Sequence, residues 1–368
     1  MNNESMLPGD NDVIRAKSTA DLLEALVDTF GLHMVISDHQ AVALAAWSLH
    51  TFVFDRFQHT PRLAVLSPEK RCGKSTLLDL LGALCNAPVK VDSITPAALF
   101  RTVDAKKRLT LLVDEADSYL PGNDELRGML NSGFEATGRV IRTAPQTLAP
   151  IEFQTFCPVA IAAIGKLPGT IADRSIVIKL RRKMANEEIC KVRRRRDAIG
   201  VLARQLLQWS ADVDLLDYSD PDIPESLNDR QADIAVPLLA IADEAGGEWP
   251  VKVRDALANL FKAAEQTEET DGLGAMLLAD IRDIYAAAAG YRLSSSQICQ
   301  RLTDKEGRPW ADYSNGRPIT PNQLARLLAP FGIKPANIRL GDAVIKGYSK
   351  DDFGEAWGRY TSHPDVPF

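Results

Sequence analysis

Residues 62–67 read Arg-Leu-Ala-Val-Leu-Ser, and after the six residues Pro68 to Gly73 the chain resumes as Lys-Ser-Thr-Leu-Leu-Asp-Leu-Leu-Gly-Ala-Leu-Cys. The first run suits a short strand buried on both faces. The second places leucines at 77, 78, 80, 81 and 84, which is helical spacing. Strand, tight loop and helix in direct succession constrain the fold more than any other feature of the chain. Similar apolar runs recur at 109–117 (LTLLVDEAD), 157–165 (CPVAIAAIG) and 174–180 (RSIVIKL). Buried strands interleaved with helices predict a parallel sheet covered on both faces, spanning about residues 60 to 183.

The loop also carries chemistry. Pro68-Glu69-Lys70-Arg71-Cys72-Gly73-Lys74-Ser75-Thr76 meets the pattern GxxxxGK[ST], except that proline stands at the first glycine. Such a loop turns backbone N–H groups toward phosphate oxygens at the positive end of a helix macrodipole. Gly73 lets the backbone approach closely, Lys74 reaches the β- and γ-phosphates, and Ser75 offers its hydroxyl to Mg²⁺. The plain alternative is a helix start that happens to carry a lysine.

Forty residues after Lys74, the apolar run Leu109 to Val113 ends in Asp114-Glu115. Nucleotide hydrolysis needs one carboxylate at a strand end for Mg²⁺ and a neighbouring one to polarise the attacking water. Asp114 fits the first role and Glu115 the second, so loop and carboxylates together predict an ATP–Mg²⁺ site. Lys166, after the third strand, is a candidate sensor of the γ-phosphate. Arg174, before the fourth, is a candidate arginine finger toward a neighbouring subunit's nucleotide, or else a partner of Asp173 or of a helix end. The run DEAD (114–117) matches a motif of one helicase superfamily, but none of its other motifs is present.

Around this core the texture changes. Residues 1 to 16 show no periodicity. Helical patterns open at Ser18 and at Ser37-Asp38, GRVIRT and IEFQTF form a candidate hairpin across Ala144–Pro150, and residues 184 to 270 read as helices only. The last hundred residues run helix, helix, helix and two short extended pieces (ANIRL, AVIKGYS) before a closing helix, the order of a winged-helix module. The expected division is 1–60 tail and helical segment, 61–183 P-loop ATPase core, 184–270 helical lid or linker, and 271–368 winged-helix-like domain.

The formal net charge of −6 hides an asymmetry: residues 174–196 hold ten Lys/Arg against two Glu, and residues 200–280 hold 17 Asp/Glu against five Lys/Arg. Any polyanion is therefore met by local patches, unless these are simply solvated faces. Three places are candidates for DNA. Arg139 and Arg142 lie on the hairpin. Arg193 to Arg196 would point all round a helix, toward DNA or toward the acidic region of this or a neighbouring subunit. In the winged-helix segment Thr320 caps a recognition helix whose Asn322, Gln323 and Arg326 can read bases, with Lys346 near a wing. Tyr348, Phe353, Trp357 and Tyr360 read as the core of that module.

No apolar run approaches the ~20 residues of a membrane span, and the polar N-terminus lacks an apolar signal core. Cys72, Cys85, Cys157, Cys190 and Cys299 show no CxxC spacing, which disfavours a disulfide framework and structural zinc and fits a reducing cytoplasm. The histidines (33, 39, 50, 59, 363) show no metal-ligand spacing.

The segments SPEKRCGKSTLLDLL, ITPAALFR, LTLLVDEADSYL, ELRGMLNSGF, FCPVAIAAIGKLPGTIADRSIVIKLRRK and IKGYSKDDFGEAWGRY resemble a bacterial ATPase family still named as a domain of unknown function. That family occurs on phages and integrated elements, alone or fused to primase-like domains, and its loop carries the same proline-for-glycine change. The resemblance covers about residues 40 to 362. The family in turn resembles AAA+ ATPases and superfamily-three-like helicases. The resemblance implies a ring-forming ATPase that takes ATP and Mg²⁺; the expected role is a motor on DNA for replication or maintenance of a mobile element, with a primase or nuclease as a candidate partner. An ATP-driven switch that remodels a protein partner, in phage defence or plasmid control, is the alternative. A DNA-binding regulator whose ATPase only gates oligomerisation is a third reading.

Overall fold

The structure is a computed structural model; it describes residues 17–144, 148–218, 220–288, 291–314, 316–340 and 343–360. The expected aperiodic tail (1–16), the hairpin tip at 145–147 and His363 lie outside the described residues. The chain divides into two compact units, Met1–Lys262 and Ala263–Phe368, with the boundary inside one long helix.

In the first unit, α1 (Thr19–His33) and α2 (Asp38–Val53) open with capping boxes at Ser18 and Ser37, the signals that located them in the sequence. The central sheet holds β1 (Arg62–Ser67), β2 (Pro88–Val91), β3 (Thr110–Val113), β6 (Val159–Ile164) and β7 (Ser175–Lys179), all parallel, in the order β2-β3-β6-β1-β7. Strand β4 (Arg139–Thr143) pairs antiparallel with β5 (Pro150–Gln154) as a separate two-stranded ribbon, the hairpin expected there. The helices are α3 (Lys74–Leu84), α4 (Pro96–Lys106), α5 (Asp124–Ser132), the short α6 (Gly169–Ala172), α7 (Arg196–Asp212), α8 (Asp229–Ala245) and the first part of α9 (Trp249–Ala287).

Strand residues alternate between two cores, as a sheet covered on both faces requires. Leu63, Val65, Leu112, Ala160, Ala162, Ile176 and Ile178 pack with residues of α1, α2, α3, α7 and α8. Ala64, Leu111, Val113, Ile161 and Ala163 pack with α4 and α5. A buried arginine ties the second layer down: Arg62 donates to the carbonyls of Cys157 (2.5 Å) and Leu130 (2.6 Å), and burial lowers its pKa to about 10.

Two parts of the sequence reading change. Strand β2 and helix α4 went unrecognised. The first is a four-residue edge strand of alternating exposure, too short for periodicity to show. The second begins at Thr95-Pro96, a capping threonine followed by proline at the first helical position, a signal that was present. The stretch 184–270 is not helical throughout. Residues 180–191 have no regular secondary structure, and only one 3-10 turn (Leu216–Tyr218) interrupts the described part of 213–228, where Pro221 and Pro224 oppose a helix. The arginine run is accordingly not wrapped round an α-helix: Arg193 and Arg194 sit in a 3-10 turn, Arg195 caps α7 and Arg196 begins it, and all four are exposed.

The second unit holds the remainder of α9, α10 (Ser295–Thr303), α11 (Pro321–Leu328), α12 (Gly354–Tyr360) and an antiparallel sheet β8-β10-β9, made of Arg292–Ser294, Ala343–Ser349 and Ala336–Leu340. Tyr348 and Phe353 belong to its core, as expected, and Trp357 packs half-buried against it. The side chain of Tyr360 lies outside the described residues.

Candidate functional site

The chain leaves β1 for the far edge of the sheet at β2, returns through β3 and β6 to lie beside β1, then passes it to end at β7. The direction of travel therefore reverses around β1, and in parallel sheets ligands bind at the carboxyl ends of strands at such a switch. Pro68 to Gly73 emerge there. Arg71 (φ 66°) and Gly73 (φ 94°) both adopt left-handed backbone, curling the loop back so that α3 begins at once with Lys74. The first N–H groups of α3 have no carbonyl within the helix and face forward with its positive end. The Lys74 ammonium donates to Ser67 Oγ at 2.5 Å, which in turn donates to the Glu69 carbonyl at 2.8 Å.

Asp114 follows directly on β3, two strands from β1. It is almost fully buried; its Oδ1 accepts from the Glu115 N–H at 2.9 Å and its Oδ2 lies 3.9 Å from Lys90 Nζ. Glu115 is exposed and left-handed (φ 49°), an uncommon conformation for glutamate. Tyr119 backs the strand end, its hydroxyl 3.4 Å from the Asp114 carbonyl; burial, then the nearby carboxylates Asp114 and Asp92, push its pKa up to about 12.

The second half of the loop and the two carboxylates share one cavity of about 780 Å³, lined by Lys70 to Thr76, Asp114, Glu115, Asp117, Ser118 and Ile164. Pro68 and Glu69 do not line it; Glu69 instead lies 3.8 Å from Arg182. Lys166 is exposed beyond β6, also outside the lining. Arg174 precedes β7 and so sits at the amino end of the sheet, opposite the cavity. Its guanidinium donates to the Thr170 carbonyl at 2.8 Å and lies over Phe134 at 5.9 Å, the helix-end alternative to an Asp173 pair.

Sequence reasoning missed the other wall, which comes from His33, Met34 and Val35 in the α1–α2 turn and from Arg181, Lys183 and Ile189 after β7. The two segments hold each other: Cys190 N–H donates to the Leu32 carbonyl at 2.9 Å, and His33 Nδ1 meets the Cys190 carbonyl at 2.6 Å. Two adjacent capped helices did mark a turn at 34–37, but nothing in the sequence said what that turn would face. A Cβ on Gly73 would lie 3.2 Å from Met34 Cε. The thioether can move aside, so the strain in Gly73→Ala comes mainly from its positive φ, costing ~1–2 kcal/mol. We expect that variant to lose stability by about that amount and to bind phosphate-bearing ligands roughly tenfold more weakly, measured by a thermal melt beside titration calorimetry.

Among the described residues no group of three or more His, Cys, Asp or Glu side chains could cage a metal. A Mg²⁺ ion is nonetheless suited to the donors present, since it takes hard oxygens and keeps waters and phosphate oxygens in place of a full protein cage. Ser75 and Asp114 supply one hydroxyl and one carboxylate.

The nucleic-acid candidates fall in both units. On the ribbon, Arg139 lies 4.0 Å from Glu152, while Arg142 pairs with Glu125 at 2.5 Å and covers Phe100 at 5.3 Å. In the second unit Asn322 and Arg326 are exposed on α11 and Lys346 on β10. Gln323 is engaged otherwise: its Oε1 accepts from the Thr320 N–H at 2.9 Å in a capping box, so its carboxamide is committed to the helix start. Among the described residues no helix is long and apolar enough to cross a membrane.

An "Uncharacterized 28.9 kDa protein in xis 5'region" from Saccharopolyspora erythraea is 34% identical over 192 residues, 51% of this chain and 70% of the relative. The A-form apo structure of the NrS-1 C-terminal region aligns over 93% of this chain and 79% of its own at 14% identity, with a TM-score of 0.36, too low to equate the folds. The family described as "Protein of unknown function (DUF3631)" matches residues 179–360. By that match and the relative's identity, the chain belongs to the DUF3631 family.

Proposed function

We propose that the chain binds ATP with Mg²⁺ in the cavity at the carboxyl ends of β1 and β3 and hydrolyses it, as the AAA+-like P-loop core of an oligomeric motor acting on DNA. One observation carries this reading: Gly73-Lys74-Ser75 at the positive end of α3 and Asp114-Glu115 at the end of β3 line the same cavity. Lys74 would exchange Ser67 for the β- and γ-phosphates. Ser75 and Asp114 would hold Mg²⁺, whose positive charge offsets the charge that builds on the phosphoryl oxygens. Glu115 would take the proton of the attacking water as the bond between the γ-phosphorus and the bridging oxygen breaks, leaving ADP and phosphate. The turn at His33 to Val35, with Met34 against Gly73, is suited to seat the base.

Arg174 sits at the other end of the sheet from its own chain's cavity, so as a finger it would serve the cavity of a second copy. The exposed ribbon with Arg139 and Arg142, and Asn322, Arg326 and Lys346 of a winged-helix-like second unit, are the surfaces offered to DNA. The mobile-element setting rests on the sequence resemblance and on the relative whose name places it in the xis 5' region. The test is nucleotide binding and ATP turnover by the purified chain, with and without single-stranded and duplex DNA, beside Lys74→Ala. We expect Lys74→Ala to lose nucleotide binding by a hundredfold or more, since a charge-assisted contact is lost (~3 kcal/mol), and DNA to raise the wild-type rate. Full turnover by Lys74→Ala would refute the site. A basal rate that no DNA alters would turn the reading from a motor to a switch acting on a protein partner.

A further inference from the structure

Helix α7 is basic at its amino end and acidic at its carboxyl end, the reverse of what the helix macrodipole favours. Arg193 and Arg194 lead into the helix, Arg195 is its N-cap and Arg196 its first residue, with Asp197 the one acidic residue of the first turn. At the far end Asp212 closes the helix, and residues 212–229 hold seven Asp or Glu and no Lys, Arg or His. Arg193 to Arg196 are all exposed, as are Asp212, Asp214, Asp217 and Asp220. Among the described residues none of these eight side chains is in an ion pair. Local helix stability does not account for charges placed this way, and neither does pairing within the chain.

The helix itself keeps the two groups apart. Seventeen residues at 1.5 Å each span ~25 Å, about three screening lengths at physiological salt. Complementary patches at the two ends of α7, with Asp212 on the helix and the other acids on the segment that follows it, are placed to neutralise each other between molecules. We propose that they do so head to tail: the Arg193–Arg196 ridge of one copy docks on the acidic segment after α7 of a second copy. Leu216 (80% exposed) in that segment and Leu207 (60% exposed) on the last turns of α7 give the acidic side apolar area for the centre of such a contact. Because the two surfaces differ, the interface is heterologous, and repetition generates a ring if the rotation closes and a filament if it does not. None of this depends on the nucleotide chemistry proposed above.

The test uses the full chain in sedimentation velocity over a range of salt concentrations. Wild type is expected to associate at low salt and dissociate at high salt. Reversing Arg193, Arg194, Arg195 and Arg196 to Glu, or Asp212, Asp214, Asp217 and Asp220 to Lys, is expected to weaken association by at least about tenfold. An equimolar mixture of the two reversed variants should associate again, because each then presents only the sign that the other lacks. That rescue separates docking from misfolding, which circular dichroism of each variant checks independently. A wild type that stays monomeric, reversed variants that still self-associate, or a mixture of folded variants that stays monomeric would each overturn the proposal. So would a labelled oligonucleotide that binds the ridge while self-association is unaffected by the arginine changes; the ridge would then be a nucleic-acid surface.

Discussion

Glu115→Gln is expected to keep ATP in the cavity and to slow its turnover by about a hundredfold to ten-thousandfold, the range that a positioned general base contributes. The substitution preserves shape and hydrogen-bonding reach and removes the negative charge, and with it the capacity to accept a proton. The left-handed backbone at Glu115 sharpens the expectation. With φ at 49° the chain turns out of β3, so the carboxylate stands exposed at the cavity wall while its neighbour Asp114 stays buried and held by the Glu115 N–H. The two carboxylates therefore differ in what they can do, although they are adjacent in sequence. Asp114→Asn should weaken Mg²⁺-dependent nucleotide binding, whereas Glu115→Gln should leave it within about twofold, because an exposed side chain that takes no part in holding the ground state adds little to affinity. Binding of a fluorescent ATP analogue and single-turnover hydrolysis, run on the same preparations, separate these outcomes. Undiminished hydrolysis by Glu115→Gln would remove Glu115 from the mechanism and direct attention to Asp117, which also lines the cavity.

The parts of this site that could be read from the sequence are those built by local rules. A loop between a buried strand and a helix is written in consecutive residues, and a carboxylate pair ending an apolar run is written in two. The capping boxes at Ser18, Ser37, Ser294 and Thr320 likewise spell out helix starts. What could not be read was set by tertiary contact. Nothing local to Met34 says that it will lie against Gly73. Nothing local to Arg181 and Lys183 says that they will line the same cavity, because a hydrogen bond between residues 157 positions apart (His33 and Cys190) brings the two walls together. Gln323 shows the converse case. Its residue type suits base readout, but a threonine three positions earlier takes its carboxamide first. The arginine run misled for a third reason: helical wheel reasoning assumed an α-helix where a 3-10 turn and a cap separate the side chains differently.

The largest expected effect on stability lies in the second unit, at a residue with no catalytic role proposed for it. Asp280 is fully buried on α9, and it accepts from Trp310 Nε1 at 2.7 Å, Lys305 Nζ at 2.8 Å and Arg308 Nε at 3.2 Å. One carboxylate thus anchors the irregular stretch after α10 to the helix, and it places the fully buried Trp310 within the core that also holds Tyr348 and Phe353. Asp280→Ala leaves the indole N–H buried without an acceptor and two cations without their counter-charge. Lys305 and Arg308 are only partly buried, so water takes up some of that loss. The net cost is expected to be about 3 kcal/mol, most of it from the orphaned indole and the vacated anionic site, lowering the unfolding temperature of this unit by on the order of 10 °C. Asp280→Asn keeps an acceptor for Trp310 and should cost less than half as much. Hydrogen exchange over residues 291–360, followed by mass spectrometry in the intact chain, reads the effect locally, while ATP-analogue binding reports on the first unit in the same samples. Faster exchange with binding retained is the expected pair of results. Unchanged exchange in Asp280→Ala would mean that the packing around Trp310 holds this unit together without the carboxylate.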